Sequence, residues 1–236
     1  MKRILTLARI DFKLIFRDSS LRSFLVLPLI LFALMIWGVP ALVEKHPSLT
    51  AYLPIILAGF VIENTQLFCF ISSMIWIDEK ETGVAKAYGI VPLSKIQFIL
   101  SRLLFPFLIT VLLNILLLEV QEFYEISILH IWLIAILTGL IVPIYALAIN
   151  AIVDNRIQGM VYIKALNMLI ILPITAFFIP APFQYIFALL PSHWVFQAVN
   201  QTLLQTMNTW SFIIGFGLMW ILIIISSKFF WRKHFN

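Results

Sequence analysis

Six apolar runs of about 20 residues leave this chain very few folds to choose from. They fall at roughly 23–43, 52–77, 103–121, 129–152, 160–180 and 211–231. Hydrocarbon offers no partner for a backbone N–H or C=O, so only helices and closed barrels cross a bilayer. The runs are continuous and do not alternate, so they read as helices. The sequence therefore predicts an all-α polytopic membrane protein with six transmembrane helices. Only 11% of the residues are charged, against about 25% in soluble domains. Subtracting the spans leaves no stretch long enough for a separate folded domain. The one cysteine, Cys69, lies inside a span, which excludes an intrachain disulfide.

Residues 1–22 precede the first span and carry six Lys and Arg. Lys2, Thr6, Arg9, Lys13 and Arg17 recur every three or four positions, with Leu5, Ala8, Phe12, Ile15 and Phe16 opposite. This predicts an amphipathic elbow helix in the interface plane, ahead of a permease domain at 23–236. The segment does not read as a cleaved signal peptide, because the apolar run after it is long enough to span. With the N-terminus inside, 15 of the 16 basic residues fall on the cytoplasmic side and only Lys45 falls outside. The positive-inside bias thus predicts that both termini are cytoplasmic. Anionic headgroups of the bilayer account for the net charge of +5, and no nucleic-acid partner is needed.

Two connections stand apart. Between the second and third spans, segment 78–102 holds seven of the 27 Asp, Glu, Lys and Arg residues. It must lie in water, yet Val84, Ala85, Tyr88, Ile90, Val91 and Leu93 make it too apolar for a linker. Residues Asp78–Val91 are expected to form an amphipathic turn of helix with Gly83 as its weak point. Pro92 then forces a turn, and Ser94 caps the helix that re-enters the membrane. Between the fifth and sixth spans, segment 181–210 has no Asp, Glu, Lys or Arg and is rich in aromatics. Pro180, Pro182 and Pro191 break it up, so it is expected to form short re-entrant outer helices.

Few residues could carry chemistry. There is no phosphate-binding G-x-x-x-x-G-K-[ST] loop, no H-E-x-x-H and no G-x-S-x-G, so no catalytic or metal site is expected in the chain. Ser192 and His193 are adjacent and point apart, which disfavours a nucleophile–base pair. Glu63 is an acid deep in the second span, and Glu63, Gln66, Phe70 and Ser73 share one helical stripe. The stripe either lines a translocation pathway or fixes helix packing. Asn114 and Asn167 are further intramembrane amides, pathway candidates that could equally bond between helices.

The motifs E-K-E-T-G at Glu79–Gly83 and P-L-S at Pro92–Ser94 resemble the signature between the second and third spans of type-2 ABC transporter permeases. The resemblance extends to the elbow, the six spans and the N-R-x-x-G segment at Asn155, Arg156 and Gly159. It includes P-A-P at Pro180–Pro182 and L-P-S-H-W at Leu190–Trp194. Drug-export permeases of the fluoroquinolone type are the most similar subgroup, with a departure at Val91, where Thr usually precedes the Pro.

This resemblance implies a bacterial or archaeal cytoplasmic-membrane exporter for a hydrophobic or amphipathic drug, lipid or peptide. It implies a coupling helix that docks on a separate ABC ATPase, with Asp78, Glu79, Lys80, Glu81, Gly83, Lys86 and Pro92 at the contact. Two ATPase copies would bind the ATP and Mg, and a second permease would complete a homodimer or heterodimer. Phe183, Tyr185, Phe187, His193 and Trp194 would form an outer gate. An ion-coupled transporter or channel using Glu63, and a non-transporting immunity or scaffold subunit, are the alternatives.

Overall fold

The computed structural model describes residues 18–83, 95–206 and 209–234. Of the elbow expected at 1–22, residues 1–17 lie outside the described residues, and its last residues fall in the helix Ser19–Phe24 at the start of the first span. Lys86 and Pro92 of the segment between the second and third spans also lie outside the described residues. Among the described residues every regular element is helical. Six are long and apolar enough to cross a membrane: Leu21–Lys45, Pro47–Glu81, Ile96–Val120, Ile128–Ile152, Arg156–Phe178 and Thr209–Lys233. The chain is therefore a multi-pass membrane protein. One end of the bundle gathers Arg22, Lys80, Arg102, Arg156, Lys228, Arg232 and Lys233 and is called the basic end below.

The second and fourth spans form the core. Two-thirds of their apolar windows are buried (67% each), against 17% in the first span and 22% in the fifth and sixth. The second span packs on the first, third, fourth and fifth, and the sixth packs on the fourth. Lipid tails are as apolar as leucine, so packing here depends on close approach and on polar contacts. Glycines mark the closest crossings. A Cβ added at Gly139 of the fourth span would lie 2.7 Å from Val111 of the third. One added at Gly159 of the fifth would lie 2.7 Å from Ile77 of the second.

The spans are interrupted where backbone bonds are lost. In the fourth, Pro143 has no N–H to offer the carbonyl of Gly139, and the helix divides into Ile128–Gly139 and Ile141–Ile152. In the first, a π-helical turn at Leu34–Gly38 precedes Pro40.

The connection between the fifth and sixth spans is built from short helices, as its prolines predict. A 3-10 stretch at Leu172–Phe178 leads into Ala181–Gln184 and Tyr185–Leu189, and then a longer helix, Pro191–Leu203, which follows the end of the fifth span away from the basic end and is labelled the outer helix. Val195, Phe196, Val199 and Leu203 form one buried stripe on that outer helix. It packs on the second, fourth and sixth spans, and a Cβ at Gly215 would lie 3.1 Å from Trp194.

The second span differs from its expected extent. The sequence ends it near 77, but the helix runs unbroken from Leu53 to Glu81. The hydropathy stops at Asp78 while the helix continues, because Asp, Glu and Lys are tolerated in its last turn once their charges are met. Gly83, with φ +76°, then ends it: its N–H donates to the carbonyl of Lys80 at 3.1 Å. That left-handed conformation is open to glycine at little cost. The acidic group at Asp78–Glu81 is thus the tip of a span and not a separate helix after it.

Candidate functional site

Two polar constellations emerge from this frame, one at the basic end and one near mid-membrane. The first is a clamp around the tip of the second span. Glu79 Oε1 pairs with Arg102 of the third span at 2.9 Å, with side chains 12% and 1% exposed. Lys80 Nζ donates to the carbonyl of Val153 at 2.8 Å and to that of Asn150. Those two carbonyls end the fourth span, so the ammonium caps a helix C-terminus whose partial charge it complements.

Arg156 opens the fifth span and gathers three carboxylates. Its guanidinium lies 2.7 Å from Asp18 and 3.0 Å from Asp78. Its backbone N–H donates to Glu81 Oε2 at 3.1 Å. Asn155 caps the same helix by accepting from Gln158 N–H at 2.9 Å. The tip of one helix is thereby tied to Asp18 before the first span and to the third, fourth and fifth spans. The sequence reading did not assign Arg156 a role. Its signals in the sequence are its place in the N-R-x-x-G segment and the three acids at 78–81 that Lys80 alone does not balance.

The second constellation is a groove of about 240 Å³ between the first, second and fifth spans. Glu63, Gln66 and Phe70 of the expected stripe line it, and Asn167 joins them from the fifth span. Glu63 is exposed on the surface of the chain. Gln66 Nε2 donates to the backbone carbonyl of Asn167 at 3.2 Å, and the Tyr145 hydroxyl donates to Asn167 Oδ1 at 2.6 Å. Phe24 packs on Phe70 with centroids 4.5 Å apart.

Ser73 and Asn114 stand elsewhere. Ser73 is fully buried, off the groove. Asn114 sits inside the contact of the second and third spans. It accepts from Asn64 Nδ2 at 2.7 Å and donates to Thr65 Oγ1 at 2.9 Å. That is an interhelical polar clasp, the packing role amides take in bilayers. A second groove, of about 280 Å³, opens between the first, second and third spans and is almost wholly apolar apart from Ser72 and Arg102.

The aromatic residues of the outer segment do not form one surface. Phe183 and Tyr185 are exposed and Phe187 is half-buried. His193 is buried at the start of the outer helix, and burial lowers its pKa below the ordinary 6.5. Trp194 Nε1 donates to the carbonyl of Ala188 at 2.8 Å, which folds the short helices back onto the outer one.

Six spans without a nucleotide motif, a clamp at the basic end and a polar groove between spans describe a membrane permease. The chain belongs to the family described as Fluoroquinolones export permease protein Rv2686c-like, whose profile matches residues 11–227. Two relatives from strains of Mycobacterium tuberculosis are named Fluoroquinolones export permease protein Rv2686c and Fluoroquinolones export permease protein MT2760. Each is 25% identical over 154 residues, covering 64% of this chain. The chain spans 61% of the length of those relatives. Membership agrees with the resemblance to drug-export permeases of the type-2 ABC class.

Proposed function

We propose that this chain is the membrane subunit of an ABC exporter in a bacterial or archaeal cytoplasmic membrane, with the basic end and both termini in the cytoplasm. It forms the pathway with a second permease subunit and moves a hydrophobic or amphipathic compound outward. The energy comes from ATP bound with Mg on two copies of a separate ATPase. The chain itself hydrolyses nothing.

The observation that carries this reading is the clamp. Arg102, Lys80 and Arg156 join the tip of the second span to the third, fourth and fifth spans and to Asp18 ahead of the first. A docking partner pressing on that tip would therefore move the bundle as a body, which is what a remote engine requires. Glu79 is nearly sealed against Arg102 and Lys80 is held by two carbonyls, whereas Asp78 and Glu81 touch Arg156 and still face outward, so the docking charge falls mainly on Asp78 and Glu81. The Asp78 side chain is 45% exposed, and Glu81 is exposed. Lys86, Pro92 and the turn at Gly83 complete the contact.

Co-expression of the chain with its ATPase tests the assignment. The two should co-purify, and inverted vesicles containing both should accumulate a lipophilic fluorescent drug only when ATP is supplied. Glu81→Lys should release the ATPase and stop accumulation while the chain still reaches the membrane. Undiminished accumulation in that variant sinks the docking role of Glu81.

A further inference from the structure

Glu63 is the one acid placed well inside a span, the others lying at or beyond span ends. Ten residues separate it from Leu53, where its helix begins. At 1.5 Å per residue that is a depth of about 15 Å, half the thickness of a bilayer core of about 30 Å. Ionised groups at that depth are expensive and face a wet cavity or a partner. Yet Glu63 is exposed and makes no hydrogen bond or ion pair among the described residues.

The groove around it has a marked chemical bias. No basic side chain lines it. Gln66 Nε2 is taken by the backbone carbonyl of Asn167 and Asn167 Oδ1 by the Tyr145 hydroxyl, and among the groups that line the groove Glu63 alone can carry a charge. The rest of the wall is apolar, with the rings of Phe24 and Phe70 side by side. A bare metal ion needs several oxygen ligands, and this groove has too few. An anion would meet like charge, and a neutral guest would leave the carboxylate unmatched in a dry site.

Lys164 is the basic residue nearest in the fifth span. Gln66 meets Asn167, so the two helices are level there. Glu63 lies a turn to one side of that level and Lys164 a turn to the other, about 9 Å apart in depth by the helical rise. A second copy related by an axis along the membrane normal keeps that offset. Lys164 also has the shorter route to the basic end for its ammonium.

We infer that this groove recognises a lipophilic monocation: an aromatic body that packs on Phe24 and Phe70 and a positive charge that pairs with Glu63. The inference rests on the export reading and narrows its substrate to one charge class. Two such grooves facing each other across a pair of subunits would reach the size of drug pockets, roughly 300–1,000 Å³.

Tetraphenylphosphonium and tetraphenylborate have nearly the same shape and opposite charge, which makes them suitable probes. Their equilibrium binding to the purified chain in zwitterionic nanodiscs needs no ATPase. The wild type should bind the phosphonium saturably and in preference to the borate. Glu63→Gln should weaken phosphonium binding about tenfold or more, and Glu63→Asp should keep most of it. Equal binding by wild type and Glu63→Gln overturns the inference, as does wild-type binding of the borate equal to that of the phosphonium. A cation preference that emerges only in Lys164→Met also overturns it, because Lys164 of a second copy would then hold Glu63. ATP-driven accumulation measured alongside separates the two readings. Accumulation without cation preference removes this inference and leaves export standing. Cation binding without accumulation does the reverse.

Discussion

Arg102 and Arg156 do similar work in different surroundings, and the surroundings set what each is worth. Arg102 is nearly sealed, with its guanidinium 5.7 Å from the Phe98 ring centre and 2.9 Å from Glu79. Breaking a buried pair leaves a charge with no water, a loss of about 3–5 kcal/mol, whereas replacing both partners by apolar groups is often neutral. Arg102→Met should therefore lower the thermal midpoint of the purified chain steeply, and Arg102→Met with Glu79→Leu should regain most of it. A double variant no more stable than the single one would contradict that account. Arg156 is 36% exposed and its two carboxylate partners are 24% and 45% exposed. Each of those pairs is worth about 0–1 kcal/mol. The Arg156 cluster thus matters more for joining helices than for holding the fold. None of this pairing was legible in the sequence, where Glu79 and Arg102 lie 23 positions apart and Arg156 far beyond both.

At the level of helices, Gly159 shows why part of the sequence motif exists. It sits where the fifth span crosses the second, under Ile77, with Met74 and Val153 beside it. Alanine would meet the movable end of Ile77 and should be tolerated. Gly159→Leu should push the spans apart, weaken the Gln66–Asn167 contact above, and lower both the thermal midpoint and probe binding in the Glu63 groove. Unaltered binding in a well-folded Gly159→Leu chain would separate the groove from this crossing. The number and order of the spans were legible because each is a continuous apolar run. So was the stripe of Glu63, Gln66 and Phe70, because three- and four-residue spacing fixes a helix face. Two features were not. The second span continues through Glu81 because neighbouring helices neutralise its charged tip, which hydropathy cannot register. Asn114 and Asn167 looked alike in sequence, but one faces Asn64 and Thr65 inside a contact and the other opens on the groove. Only the packing of the second span against the third and the fifth distinguishes them.

For the whole molecule, the unresolved demand is the face that carries Glu63. The first, third, fifth and sixth spans all expose large apolar side chains, as lipid-facing helices do. Among the described residues only the face between the first and fifth also presents a carboxylate near mid-membrane, and lipid is a poor neighbour for it. On the export reading proposed above, that face is the one a second subunit would cover. The chain is well suited to a cross-linking test because its single cysteine, Cys69, is buried. In a Cys69→Ala background, Met168→Cys on the fifth span (75% exposed) and Leu27→Cys on the first (39% exposed) place thiols beside the groove. A short bismaleimide should convert both variants to a covalent dimer in native membranes. Ile224→Cys, 52% exposed on the sixth span, should stay monomeric under the same treatment. Dimer formed through Ile224→Cys but not through the other two would move the interface to the sixth span. Glu63 would then face lipid, and neither a shared pathway nor a cation site could be built around it.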